Sequence, residues 1–375
     1  MAVGFPAKTN FATGDVLTAT NANDITGTLN LLQSTLYPAG RNKIINGDFA
    51  INQRAFTSVT TTGTYGFDRW LQGFVDGTVT YTPQTFTPGA APVAGYEGST
   101  FAQLAVSGQT LTTAQSQINQ RIESVRTLAG QTAIMSFWAR ATSGTPKVLV
   151  NIAQVFGTGG SPSATVQVQA TAQTISTSWA RYEFTVAIPS ISGKTLGTTA
   201  GTDYLAAQIY VSGGSASTAP SLGIQNSTFQ IWGVQLEAAS TGSTASPFQT
   251  ASGSIAGELA LCQRYYFRTT PGIAAGLLAS GNAITTTDAR FALKVPVTMR
   301  VIPTAIDTSA MATINFADGA NAEITPTGIS LIASTSSQDL VQVYATAASG
   351  LTAFRPYYLK ANASTTAFIG LTAEL

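Results

Sequence analysis

The chain has 375 residues, 44% of them hydrophobic and only 9% charged, with a formal net charge of +1 and no histidine. That length allows about two or three domains and a sizeable core, but the charged fraction is far below the roughly 25% of an average soluble domain. Near-neutrality supplies no field for nucleic acid or an anionic membrane, no apolar run reaches the roughly 18–20 residues of a membrane span, and the missing histidine removes Ser-His-Asp and Cys-His nucleophiles and histidine-ligated zinc.

A surface with so few charges must be covered by Ser, Thr, Gln, Asn and Gly, without the Lys and Glu that normally guard strand edges. Burial of those edges in a stable assembly is one solution. The opening residues MAVGFPAKTN lack an apolar core, so a secretory signal is not expected. Cys262, the single cysteine, cannot form an intrachain disulfide and reads as a small buried hydrophobe.

Residues 1–40 differ from the rest. Ala22, Ile25, Leu29, Leu32 and Leu36 are spaced alternately by three and four, with Thr20 before them and Pro38 and Gly40 after. This spacing predicts a short helix with a coiled-coil-like seam, which either joins partner chains or packs on its own body. From 41 to 250 the pattern is β. INQRI (118–122), AIMSFWA (133–139), KVLVNIA (147–153), ATVQVQA (164–170), RYEFTVAI (181–188), LAAQIYV (205–211) and FQIWGVQL (229–236) read as strands separated by Gly, Ser, Thr and Pro clusters. ESVRTLAG (123–130) predicts a helical turn. The architecture expected is a two-sheet jelly roll.

TGSTASPFQTASGS (241–254) reads as a small-residue linker, and GELALCQRYYFR as a helix running into a strand. FALKVPVTM (291–299), ATINF (312–316), ISLIAS (329–334), LVQVYAT (340–346) and AFIGLTAEL (367–375) predict a smaller C-terminal β-sandwich over 251–375. No fixed-period repeat is present, which argues against a solenoid.

Carboxylate pairs can hydrolyse glycosides without histidine, but acids such as Asp48, Asp68 and Glu237 are scattered singly near strand ends and read as caps or hydrogen-bond partners. GTGGSP (157–162) is a hairpin, not a phosphate loop. Trp70, Trp138, Trp179 and Trp232 are aromatics of the kind that stacks on sugar rings, but a packing role is the stronger reading for most of them: Trp138 flanks a core strand, and Trp232 alternates with Phe229, Ile231 and Val234. In FQIWGVQL, Phe229, Ile231 and Leu236 are expected to face apolar neighbours, and Gln230 and Gln235 to pair along the ladder or at a subunit contact.

NKIINGDFAINQR (42–54), YGFDRW (65–70), SFWARA (136–141), SWARYEFTVAIP (178–189), FQIWGVQLE (229–237) and SPFQ…GELALCQRYY (246–266) together resemble a domain recurrent in bacteriophage tail-fibre and related virion proteins. FATGDVLTATNANDITGTLNLL (11–32) resembles their particle-attachment segment. The resemblance brackets 11–266 and implies a jelly roll similar to carbohydrate-binding modules, some of which hold a structural calcium near the NGDF opening and the last strand. Gln235 stands where such modules commonly place an acid, which counts against calcium here.

The function expected from this resemblance and the composition is that of a structural virion protein without catalysis or cofactor. It would be a homotrimeric tail fibre or receptor-binding protein docked to other virion proteins through 1–40, with Ile25, Leu29, Leu32 and Leu36 as seam. The jelly roll (41–250) would serve as shaft, and 251–375 as the tip that meets host-surface glycan. A capsid-attached head fibre or decoration protein fits the same motifs. A depolymerising tailspike would require a β-helix repeat or a carboxylate pair.

Overall fold

The computed structural model describes residues 40–239, 242–318 and 323–375. The seam residues Ile25, Leu29, Leu32 and Leu36, and the attachment segment up to residue 39, lie outside the described residues. The described residues are nearly all β apart from one α-helix, short 3-10 turns and loops.

Its first half forms β1 (Thr64–Tyr65), β2 (Leu71–Val75), β3 (Thr78–Thr85), β4 (Thr100–Ser107), β5 (Gln115–Glu123), β6 (Thr132–Ala141), β7 (Lys147–Val155), β8 (Val166–Gln169), β9 (Gln173–Thr174), β10 (Ala180–Ala187), β11 (Tyr204–Gly213) and β12 (Thr228–Ala238). One antiparallel sheet runs β1-β2-β5-β11-β7-β8, with β9 also on β7; the other runs β10-β6-β12-β4-β3. Strand alternation sends Ile118, Val150 and Ile209 from the first sheet into one cluster with Leu104, Phe137 and Ile231 from the second. This is the jelly-roll sandwich. Strands β2, β3 and β4 were not expected from the sequence. Gly73 and Pro83 interrupt their pattern, and Pro83 is tolerated because β3 lies at a sheet edge. Residues 125–130 form successive turns, with Ser124 and Leu128 at positive φ.

A bulge explains the odd alternation of β12. The register against β6 shifts between Trp232 and Gln235, and Gly233 has φ +64°. A Cβ at Gly233 would lie 2.8 Å from Trp138 Cε3. The extra residue keeps Phe229 and Ile231, then Val234 and Leu236, fully buried, while Trp232 packs with Tyr96, Trp138 and Phe248. Gly47 of the NGD segment is required for a different reason. Its carbonyl accepts the Val234 amide at 2.8 Å, and a Cβ there would sit 2.1 Å from Val234 O.

Helix α1 (Ile255–Gln263) is capped by Ser254, whose hydroxyl accepts the Gly257 amide at 3.1 Å. It leads into β13 (Tyr266–Thr269), β14 (Leu277–Ala283), β15 (Asp288–Lys294), β16 (Ala305–Thr308), β17 (Ile314–Ala317), β18 (Glu323–Ile324), β19 (Gly328–Leu331), β20 (Leu340–Thr346), β21 (Pro356–Ala361) and β22 (Ile369–Thr372). A three-stranded sheet β13-β22-β16 and a seven-stranded sheet β18-β17-β21-β14-β15-β20-β19 enclose a second cluster that includes Phe291, Phe316, Val343, Leu359 and Leu371. Strands β14, β16 and β21 were not expected, and the strand anticipated over 291–299 stops at Lys294, just before Val295-Pro296.

Candidate functional site

The solvent side of the first sheet carries a groove of about 340 Å³. Its floor follows from register. Asn119 pairs with Gln208, and Gln208 with Asn151; two residues along, Arg121 pairs with Ala206, and Ala206 with Ala153, which pairs with Gln167. Since side chains alternate, these all share the face opposite Ile118, Ile209 and Val150. The small Ala153 and Ala206 leave the floor low, and Tyr204 supplies an aromatic wall with the Arg121 guanidinium 5.1 Å from its ring centre.

The groove's amides are only partly satisfied. Asn151 is fully buried and donates to the side-chain oxygens of Gln208 and Gln167. That leaves the NH2 groups of both glutamines with no acceptor among the described residues. Asn151 Oδ1 and Gln117 Oε1 are buried without a donor. Leaving buried acceptors unmet costs about 1–3 kcal/mol each, whereas the NH2 groups of Gln167 and Gln208, at exposed and half-buried positions, are the groove's donors left open to solvent. The sequence analysis assigned no ligand-binding residue, and these amides were missed. Their signal was the alternation Gln117, Asn119, Arg121 in β5, with single amides, Asn151 and Gln208, among apolar neighbours in β7 and β11.

The tryptophans weighed as sugar platforms lie outside this groove, and the packing role favoured for most of them is what the structure shows. Trp70 and Trp232 are fully buried. Trp138 is capped by Arg181 at 4.8 Å and Trp179 by Arg140 at 4.9 Å. Gln230 bridges Gln103 and Arg140 across the ladder. The three acids are each committed separately. Asp48 accepts the Tyr96 hydroxyl at 2.7 Å, Asp68 pairs with Arg54 at 3.2 Å, and Glu237 pairs with Arg41 at 3.1 Å. Burial pushes the Asp68 carboxyl up to about 6, with Arg54 pulling the other way. Cys262 is buried, and desolvation drives its thiol well above its ordinary value, in keeping with a packing role.

Gln235 is fully buried and donates to Glu237 Oε1 at 2.9 Å and Ser246 Oγ at 2.8 Å. The last strand therefore offers a single carboxylate, already neutralised by Arg41, and these residues do not fit a calcium ion. Among the described residues no three or more His, Cys, Asp or Glu side chains lie close enough together to hold a metal ion.

The quoted motifs converge instead on a junction between the sandwiches. Arg69 is 1% exposed, pairs with Glu374 and stacks 3.4 Å from the Tyr265 ring centre. Arg54 bridges Asp68 and Glu374 at 3.2 and 3.3 Å and stacks on Tyr266 at 3.7 Å. Arg264 grips Glu123 through two hydrogen bonds of 3.0 Å. Glu258 of α1 accepts the Asn46 and Ser252 amides at 2.7 and 2.6 Å, tying the helix to the NGDF opening.

No family model matches the chain, and no curated protein matches it. Among solved structures it is similar to the enzymatically active domain of bacteriophage CBA120 tailspike protein 4, at 15% identity and TM-score 0.31 over 53% of this chain and 22% of that one. It is also similar to a CBM4 structure, at 18% identity and TM-score 0.27 over 52% of this chain and 98% of that one. A third is the family 11 carbohydrate-binding module from Clostridium thermocellum in complex with a β-1,3-1,4-mixed-linked tetrasaccharide, at 11% identity and TM-score 0.29 over 49% and 98%. The chain thus spans about a fifth of the tailspike chain, and at these scores the likenesses carry no argument about what it does.

Proposed function

We propose that this chain is a structural virion protein, a phage tail fibre or receptor-binding protein, that contacts host-surface glycan through the groove on β5, β7 and β11. The observation that carries the glycan reading is the pair of unspent amide donors, the NH2 groups of Gln208 and Gln167, beside the Tyr204 ring in one groove. Amides that both donate and accept suit vicinal sugar hydroxyls, and an aromatic ring suits the apolar face of a pyranose. This reading puts the glycan contact in the first sandwich, in place of the C-terminal tip expected from the sequence. The virion role rests on the motif resemblance and on the low surface charge.

Such a groove is shallow and weak by itself. Three copies on one trimer gain avidity without a tight single site, and the seam Ile25, Leu29, Leu32 and Leu36 is the proposed means of trimerisation. Antibody labelling of intact particles tests the virion role: decoration of tail or capsid supports it, and absence from purified particles overturns it. Sedimentation of the full chain tests the trimer, with a trimer expected and a stable monomer contradicting it. Replacing Ile25, Leu29 and Leu32 by Asp is expected to give monomers.

A further inference from the structure

Three neighbouring strands of the C-terminal sandwich bring an amine, an amide and a carboxylate together. Asn315 of β17 pairs with Lys360 of β21, and residues directly opposite in an antiparallel pair project to one face with Cβ atoms about 4.5–5.5 Å apart. On the other side of β17, Ala317 pairs with Glu323 of β18, so Glu323 and Asn315 share that face as diagonal neighbours. The Glu323 side chain reaches both. Its Oε1 accepts a hydrogen bond from Lys360 Nζ, and its Oε2 accepts one from Asn315 Nδ2 at 3.2 Å. Thr325 donates its hydroxyl to Asn315 Oδ1 at 3.3 Å. Asn315 is 3% exposed, Lys360 is half-buried, and Glu323 stands at the exposed rim.

Each part of an acyl transfer is in place. Nζ is the nucleophile, Asn315 Cγ the carbonyl carbon it meets, Glu323 the proton carrier, and the Thr325 hydroxyl lies where an oxyanion would develop. The Lys360 hydrogen bond holds the Glu323 carboxyl below its ordinary value, so it stands as the base. We propose that Lys360 and Asn315 join in an isopeptide bond that cross-links β21 to β17. Glu323 takes a proton from the Lys360 ammonium, and the freed lone pair attacks Cγ, sending the C=O π electrons to Oδ1. Glu323 then returns the proton to Nδ2. The carbonyl re-forms, the Cγ–Nδ2 bond breaks, and ammonia leaves, taking the surplus proton from Nζ as ammonium. The Glu323 carboxylate is restored, and no oxidant or reductant is consumed. Amines displace ammonia from free amides slowly, and proximity offsets this, because well-oriented groups react with effective molarities of about 10⁵–10⁸ M.

The experiment is intact-mass spectrometry of the folded full chain, followed by sequencing of its proteolytic peptides. The expected mass is below that of the sequence by one molecule of ammonia, and the peptides carrying Asn315 and Lys360 should be found joined. Lys360→Arg keeps the cation and its ion pair but has no primary amine, so it should fold and show the full mass. Glu323→Gln, at an exposed position, should also fold and remain unlinked. Full mass in the folded full chain overturns the proposal. So does a deficit of one ammonia that persists in Lys360→Arg, because a succinimide formed at an asparagine loses the same mass without any lysine. A joined peptide pair in Glu323→Gln overturns the step in which Glu323 carries the proton. None of these outcomes depends on glycan binding, so failure here is separable from failure of the groove reading.

Discussion

The groove on β5, β7 and β11 and the junction between the sandwiches are both polar, and they treat their polar groups in opposite ways. At the junction Arg54, Arg69 and Arg264 each have a carboxylate partner, and tyrosine rings cover two of them. In the groove the amides of Gln117, Gln167 and Gln208 keep unspent hydrogen-bonding capacity. The difference teaches how to sort polar residues in a weakly charged protein: charge paired in the interior ties the sandwiches together, and amides left open on a concave face are the groups available to the proposed glycan.

The comparison breaks most easily at the junction. Arg69→Met should remove a buried pair and cost about 3–5 kcal/mol, since buried Glu374 is left with Arg54 alone and the Arg121 carbonyl and Tyr265 ring lose the guanidinium. Chemical denaturation should show the loss, while glycan binding by the folded fraction should be unchanged. A loss under about 1 kcal/mol would mean that the pair is no better than an exposed one.

A smaller effect is expected from pH. The folded Asp68 carboxyl holds its proton up to about 6, whereas the unfolded group releases it near its ordinary value of 3.8. Folding therefore binds a proton between these values, and stability should fall as pH rises from about 4 to about 6, by up to about 3 kcal/mol. Asp48 and Glu258, also raised chiefly by burial, act in the same direction. Denaturation midpoints across this range check the slope, and Asp68→Asn should reduce it. An unchanged slope would contradict the assignment.

The groove should show the smallest change in stability and the clearest change in binding. Gln208→Leu should shift stability by no more than about 1 kcal/mol, because it exchanges a partly satisfied amide for an apolar group. Affinity for host-surface oligosaccharide should nevertheless fall by about tenfold or more. A large stability loss with unchanged binding would make Gln208 structural and move it to the junction's class.

Much of the fold was legible because strand alternation is local. VLVNIA, FQIWGVQL and the GELALCQRYYFR helix-to-strand passage all lie where their patterns indicated. Strands with Gly or Pro, such as β2 and β3, were not legible, since their stability comes from neighbours in the sheet. The groove was hidden for a deeper reason. Asn119, Asn151 and Gln208 are far apart in the chain and become a row only through the registers of β5, β7 and β11. The packing role of most tryptophans was legible from their apolar neighbours, but the means, a bulge at Gly233 and two stacking arginines, was not. The motif residues Asp68, Arg69 and Tyr265 were visible as a pattern, but their joint role at one junction needed the pairing with Glu374.

The most direct test of the glycan groove is hydrogen–deuterium exchange on the full chain with and without host-surface oligosaccharide. The account predicts protection in the peptides covering 115–123, 147–155 and 204–213, and its loss in Gln208→Leu. Protection confined to 266–372, with the first sandwich unchanged, would contradict it.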